Sequence, residues 1–256
     1  MSEIIFGIPS YNRPNKQLLL DYLSKNGFKK NEIVISTQTE RDYVSYRQNY
    51  GQMANIIYRS GTCVGDNKNT LMDVLSSSGK HFVICSDKVK SFQILRDKKL
   101  KDLQGKKEIL ETILRCYERT KELGGCCFGV YPTNNAGWMQ DSVFVNAFLI
   151  GCFVGFFPGE RFRYDRNFLL KEDYEMTARL VSEGRRPVRF NNLGLKETFH
   201  TEGGSHELWN TKGDAVNARM CKMILAKYPK FFTENKRRRH ELCCHFDTKK
   251  FPLKWN

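Results

Sequence analysis

The stretch IIFGIPSYNRP, residues 4–14, decides the fold class. It begins with an apolar run that lacks polar and apolar alternation, which is typical of a strand buried on both faces. Pro9 and the group Tyr11-Asn12-Arg13-Pro14 then end the strand in a polar loop. Strands buried on both faces occur in sheets covered by helices, so the stretch predicts the first strand and loop of an α/β domain.

The alternation continues downstream. Strands are predicted at residues 32–36, 54–58, 80–85 and 126–130, and helices at 16–25, 42–49, 65–78, 106–123 and 172–183. This order predicts a mostly parallel, Rossmann-like sheet flanked by helices, and residues 143–157 are expected to form a further buried stretch. Ligands of such sheets bind beyond the carboxyl ends of the strands, so the loops at 9–14, 61–68 and 86–90 should face one crevice.

Length and charge limit the classes of protein. With 256 residues and 40% hydrophobic side chains, the chain is neither a small disulfide-stapled module nor disordered. The net charge is +14, and residues 212–256 hold 12 basic against 4 acidic side chains. A polyanionic partner is indicated, and a solvated basic surface is the alternative. We expect a domain at residues 1–210 and a basic C-terminal extension at 211–256, packed on or next to it.

The cysteines favour reduced thiols in a cytoplasmic protein. There are nine, an odd number, and the N-terminal apolar run is too short and lacks the basic flank of a signal peptide. The most apolar segment, residues 143–158, is interrupted by polar and glycine residues and is too short to span a bilayer. No membrane partner is expected.

Chemistry-bearing residues follow several predicted strands. In the first loop, Tyr11 can stack on a base and Arg13 can hold a phosphate, although Pro and Asn are also typical of a plain turn. Ser86-Asp87-Lys88 ends the fourth strand, where a mixed-charge surface loop is the alternative. Glu172-Asp173 begins a helix, where carboxylates are favoured for capping as well as for catalysis.

The order of these motifs resembles a known family. Over about residues 4–204 the chain is similar to family 2 nucleotide-sugar glycosyltransferases with the GT-A fold. The closest resemblance is to the TET-associated glycosyltransferases of phages, which are inferred to add sugars to hydroxymethylated pyrimidines in DNA. The motifs that carry the resemblance are IPSYNRP (8–14), GDNKN (65–69), VICSDKVKSF (83–92), KEDYE (171–175) and FHTEGG (199–204).

The resemblance implies a donor site and a catalytic base. A nucleotide-sugar, most simply a UDP-sugar, is the implied cofactor, and its expected ligands are Pro9, Ser10, Tyr11, Arg13, Asn67, Lys68, Asp87 and Lys88. Asp173, with Glu172 beside it, corresponds to the acid that takes the acceptor's proton. A hydroxyl is a poor nucleophile unless that proton is accepted as the bond forms.

Metal use is left open by the sequence. The family holds a divalent cation with an acidic triplet, and here only Asp87 of Ser86-Asp87-Lys88 is acidic. If a metal is used, Asp87 and His200 are its expected ligands. Otherwise Lys88 or Lys90 can supply the positive charge beside the phosphates.

Acceptor contacts are expected from two regions. Trp138 lies in a predicted loop, and Lys236, Arg237, Arg238 and Arg239 form a basic run among aromatic residues that can track DNA phosphates. The adjacent HELCCH, residues 240–245, lacks the usual spacing of zinc ligands. DNA with modified pyrimidines is therefore the expected partner, in the host cytoplasm if the protein is phage-encoded. The alternatives are a protein or polysaccharide acceptor, and an inactive relative that binds nucleotide or DNA.

Overall fold

The computed structural model describes residues 4–198 and 205–254, with residues 205–213 described as helix backbone only. Within these ranges the central sheet has nine strands in the order β14-β8-β10-β7-β9-β4-β1-β2-β3. These are β1 (Ile4–Pro9), β2 (Ile33–Thr37), β3 (Asn55–Tyr58), β4 (His81–Cys85), β7 (Cys127–Val130), β8 (Ser142–Val145), β9 (Phe153–Phe156), β10 (Pro187–Phe190) and β14 (Lys249–Pro252).

The α/β class is confirmed. Strands β9 and β8 run against the other seven, so the sheet is mostly parallel, and helices flank it. The helices are α1 (Leu18–Lys25), α2 (Glu40–Tyr50), α3 (Val64–Leu75), α4 (Lys106–Glu122), α5 (Glu172–Ser182) and α6 (Ser205–Lys227). None of the helices in the described part of the chain is long and apolar enough to cross a membrane.

A close helix–strand approach places the start of α3 at the carboxyl edge of the sheet. A Cβ on Gly7 of β1 would lie 2.8 Å from Leu75 and 3.3 Å from Leu71 of α3. Only glycine leaves room for this contact, and the buried leucines pack directly on the strand. The first turn of α3 therefore lies beside the loop that follows β1.

The segment 143–157 departs from the expected single buried stretch. It forms β8 and β9, separated by a loop that begins at Asn146, whose φ of 57° lies in the left-handed region that asparagine tolerates. Strand β9 inserts antiparallel between β4 and β7. This insertion brings residues 150–152 to the same sheet edge as the ends of β1 and β4.

A small second sheet extends from that edge. It contains β5 (Val89–Arg96), β6 (Lys99–Asp102) and β11 (Leu193–Glu197) in the order β11-β5-β6. The register pairs Glu197 with Val89. A carboxylate from late in the chain thus lies near the end of β4.

The C-terminal residues pack on the core at two places. The hairpin of β12 (Phe232–Glu234) and β13 (Leu242–Cys244) joins a cluster with Phe168, Leu170 and α6. Strand β14 pairs with β8 at the edge of the central sheet. The expected boundary at residue 210 falls within α6, and the division into domain and extension stays a prediction.

Candidate active site

A cleft of about 680 Å³ lies at the carboxyl ends of the parallel strands. The three loops expected to share a crevice border it, together with the 150–152 loop and the start of α5. All the residues predicted to bind the donor or act in catalysis line it: Pro9, Ser10, Tyr11, Arg13, Asn67, Lys68, Asp87, Lys88, Glu172 and Asp173. The geometry assembles them, and their roles stay predictions.

Asp87 joins two of these loops. Its Oδ1 accepts a hydrogen bond from Arg13 Nη1 at 2.8 Å, and its Oδ2 accepts one from Ser10 Oγ at 2.6 Å. Burial raises the pKa of Asp87 although Arg13 and Ser10 oppose the rise. Both carboxylate oxygens are engaged, so Asp87 fixes the first loop against β4.

Tyr46 of α2 fixes the same loop from the other side. Its buried hydroxyl lies 2.8 Å from Ser10 Oγ and accepts a hydrogen bond from the Arg13 backbone N–H at 3.0 Å. Gln17 Nε2 donates to Ser10 Oγ at 2.8 Å. The sequence did not point to Tyr46, because its position on a short polar helix carries no signal of what it faces.

The start of α3 reaches both the first loop and α5. Asn67 Nδ2 donates to the Ser10 carbonyl oxygen at 3.0 Å. Lys68 Nζ donates to Glu172 Oε1 at 2.7 Å and to the Gly151 carbonyl oxygen at 2.9 Å. Burial lowers the pKa of Lys68, but the Glu172 charge outweighs this and the net shift is upward. Lys68 therefore holds a carboxylate of the protein, whereas the sequence predicted a donor ligand.

Asp173 differs from its neighbour. Its Oδ2 accepts a hydrogen bond from the Gly151 N–H at 3.0 Å. Burial, and then the charge of Glu172, raise the pKa of Asp173 to about 6. A carboxylate with a pKa near neutrality is ionised at physiological pH and yet basic enough to accept a proton.

Lys88 lies on another wall of the cleft. Burial and the Arg13 charge lower its pKa, while Asp87 and Glu197 oppose this. Among the residues that the structure describes, its ammonium forms no ion pair. Lys90 is exposed and does not line the cleft. Lys88 is thus the lysine at this strand end that can face an anion in the cleft.

The metal prediction meets an occupied carboxylate. Asp87 is paired with Arg13 and stands beside Lys88, a cationic surrounding that does not fit a divalent ion. Within residues 4–198 and 205–254, no cluster of three or more histidine, cysteine or acidic side chains could hold a metal. His200 lies outside the described residues.

The predicted acceptor residues lie away from the cleft lining. Trp138 is 64% exposed in the loop between β7 and β8 and does not border the cavity. The basic run, residues 236–239, is exposed at the tip of the β12–β13 hairpin. The hairpin is tied to the cleft wall, because Lys171 Nζ lies 3.0 Å from Glu241 Oε2 and Lys171 precedes Glu172.

The aromatic residues of the tail dock it onto the core. Phe231 and Phe232 are buried, and Phe246 packs against them. His245 Nε2 lies 2.7 Å from Thr233 Oγ1, across the hairpin.

Comparison with solved structures supports the fold. The mannosyltransferase PcManGT from Pyrobaculum calidifontis, solved with GDP-Man and Mn2+, aligns with a TM-score of 0.51 at 11% identity, over 93% of this chain and 67% of its own. A CMP:2-keto-3-deoxy-manno-octonic acid synthetase solved with CTP aligns with a TM-score of 0.40 at 11% identity, over 85% of this chain and 99% of its own. The second score is too low to carry an argument. No protein-family model matches the chain, and no curated protein matches it with significance. The chain has a GT-A-like fold, and at this identity the likeness shows the fold alone.

Proposed function

We propose that this protein transfers a sugar from a nucleotide-sugar to an acceptor hydroxyl. The observation that carries the proposal is one cleft that holds a carboxylate with a pKa of about 6 and a lysine without an ion pair among the described residues. The likeness in fold to a mannosyltransferase solved with GDP-Man supports the class of reaction.

The residues supply the two groups that the reaction needs. Asp173 accepts the proton of the acceptor hydroxyl while its oxygen bonds to the sugar's anomeric carbon. The bond from that carbon to the phosphate oxygen breaks, and the nucleoside diphosphate leaves with the electron pair. Lys88 stabilises the charge that develops on the leaving phosphate.

For the finer assignment we propose a UDP-sugar donor and a hydroxymethylated pyrimidine in DNA as acceptor. The net charge of +14 and the exposed basic hairpin tip support a polyanionic acceptor. The ion pair of Lys171 with Glu241 keeps this hairpin next to the catalytic helix. A target base in a duplex must be flipped from the stack to reach such a cleft. For a phage-encoded enzyme the site of action is the host cytoplasm.

The test is incubation with a panel of nucleotide-sugars and with DNA that carries 5-hydroxymethylcytosine or 5-hydroxymethyluracil. The masses of the digested nucleosides report transfer, and unmodified DNA of the same sequence is the matched control. A gain of one sugar on the hydroxymethylated base alone supports the full proposal. Turnover only with protein or glycan acceptors would replace the acceptor, and no turnover with any donor would favour an inactive binding protein.

A further inference from the structure

Gly151 links Lys68 to Asp173 through a single residue. The carbonyl oxygen of Gly151 accepts a hydrogen bond from Lys68 Nζ at 2.9 Å, and its N–H donates one to Asp173 Oδ2 at 3.0 Å. Lys68 also pairs with Glu172 at 2.7 Å, with side-chain exposures of 3% and 13%. The lysine, the glycine and the two acids form one connected network.

The space around Gly151 shows how tightly this network packs. A Cβ at this position would lie 2.9 Å from Lys68 Nζ, 3.1 Å from Asp173 Cβ and 3.1 Å from Glu172 Oε1. Any larger residue would displace one of the three side chains.

Lys68 has no donor left for a ligand phosphate. An ammonium has three N–H groups. One points to Glu172 and one to Gly151, while the ring of Tyr164 lies 5.0 Å from Nζ. The buried ammonium is therefore fully committed within the protein.

We propose that Lys68 is a positioning residue that holds Glu172 as a fixed anion, so that Asp173 alone takes and releases the proton of the acceptor. The inference rests on the proposed function and assigns the two adjacent acids different tasks. Glu172 anchors the network, and Asp173 performs the proton transfer. An unpaired Glu172 would compete for the proton and would raise the pKa of its neighbour further.

Several elements place charged or titratable groups near Asp173. Burial and Glu172 raise its pKa, whereas Lys68, the Gly151 N–H and Lys171 lower it. The remaining groups that act on it or are acted on by it are Tyr174 on α5, Tyr164 in the preceding loop, Cys152 in the β8–β9 loop and Cys244 on β13. Lys68 is the cation that offsets the Glu172 charge most directly, because it touches that carboxylate.

The test is a double-mutant cycle of Lys68→Met, Glu172→Gln and the two together. Carboxyl carbon NMR of the full-length protein measures the pKa of Asp173 without any turnover, and the pH profile of transfer provides a second readout. Removing an opposite charge at this range raises a carboxylate pKa by about one to three pH units, so Lys68→Met should raise the pKa of Asp173 by that amount. Glu172→Gln should lower it.

The double variant is the control for folding and for loss of charge. It leaves no buried unpaired ion, so it should fold and return the pKa of Asp173 close to the wild-type value. If the single variants leave this pKa unchanged while activity falls equally at all pH values, Lys68 is merely structural and the inference is wrong. If the pKa values follow the cycle but no nucleotide-sugar is turned over, the coupling holds and the proposed function fails.

Discussion

Asp173→Asn should stabilise the protein while removing its activity. The pKa of Asp173 is raised from 3.8 to about 6 in the folded protein. The folded state therefore binds more protons than the unfolded state between these two values, and stability falls as pH rises through the window. Asparagine carries no charge, so the variant escapes this loss.

The magnitude follows from the difference in pKa. Roughly two pH units at 1.36 kcal/mol each give about 3 kcal/mol, reached above pH 6 and absent below pH 3.8. Asp173 borders an open cleft, and asparagine offers one oxygen where the carboxylate accepts bonds from Gly151 and Tyr174. We therefore expect the variant to gain about 1 to 3 kcal/mol in the free energy of unfolding at neutral pH.

Urea unfolding from about pH 4 to about pH 8 measures this gain. The gap between variant and wild type should open between pH 4 and pH 6 and then stay constant. Transfer should fall by about 10²- to 10⁴-fold, the usual contribution of a general base, with donor affinity nearly intact. Asp141→Asn, at an exposed carboxylate, is the matched control and should change neither quantity. A stability gap that does not vary with pH would refute the reasoning.

Three further results are expected. Lys88→Ala should weaken donor binding or transfer by about ten- to a hundredfold, as for a lost charge-assisted hydrogen bond, whereas Lys90→Ala should not. Wild-type transfer should persist in a chelator, and activity that is lost there and recovered with manganese would contradict the role of Lys88. Replacing residues 237–239 with glutamine should make the salt dependence of DNA binding shallower by about 0.9 in the log–log slope per phosphate contact, and an equal effect of the control would refute it; that control removes the same charge at Lys98, Lys99 and Lys101. Trp138→Ala should weaken acceptor binding measured by titration with modified DNA, and an unchanged affinity would remove Trp138 from the acceptor site.

The cleft could be predicted from the sequence because it depends on strand order. Parallel strands end at one sheet edge, so the loops after β1, β3 and β4 had to meet. The pairing of Lys68 with Glu172 could not be predicted in this way. These residues are 104 positions apart, and their contact depends on how α3 and α5 approach one another in space.

The 146–152 loop was missed for a related reason. An apolar segment of this length is compatible with one buried element or two, and periodicity alone does not separate the possibilities. The left-handed Asn146 and the antiparallel entry of β9 decide the matter through tertiary pairing. Gly151 therefore carried no signal in the sequence, although it contacts three of the cleft's charged side chains.

The sheet order has a consequence for synthesis on the ribosome. Strand β1 lies in the interior of the sheet, while β14, the latest of its strands in the chain, covers the β8 edge. Until residues 249–252 emerge, β8 presents unpaired backbone groups that can pair with a strand of another nascent chain. The short strand that contributes least to the core is therefore the one that guards the newly made protein against self-association.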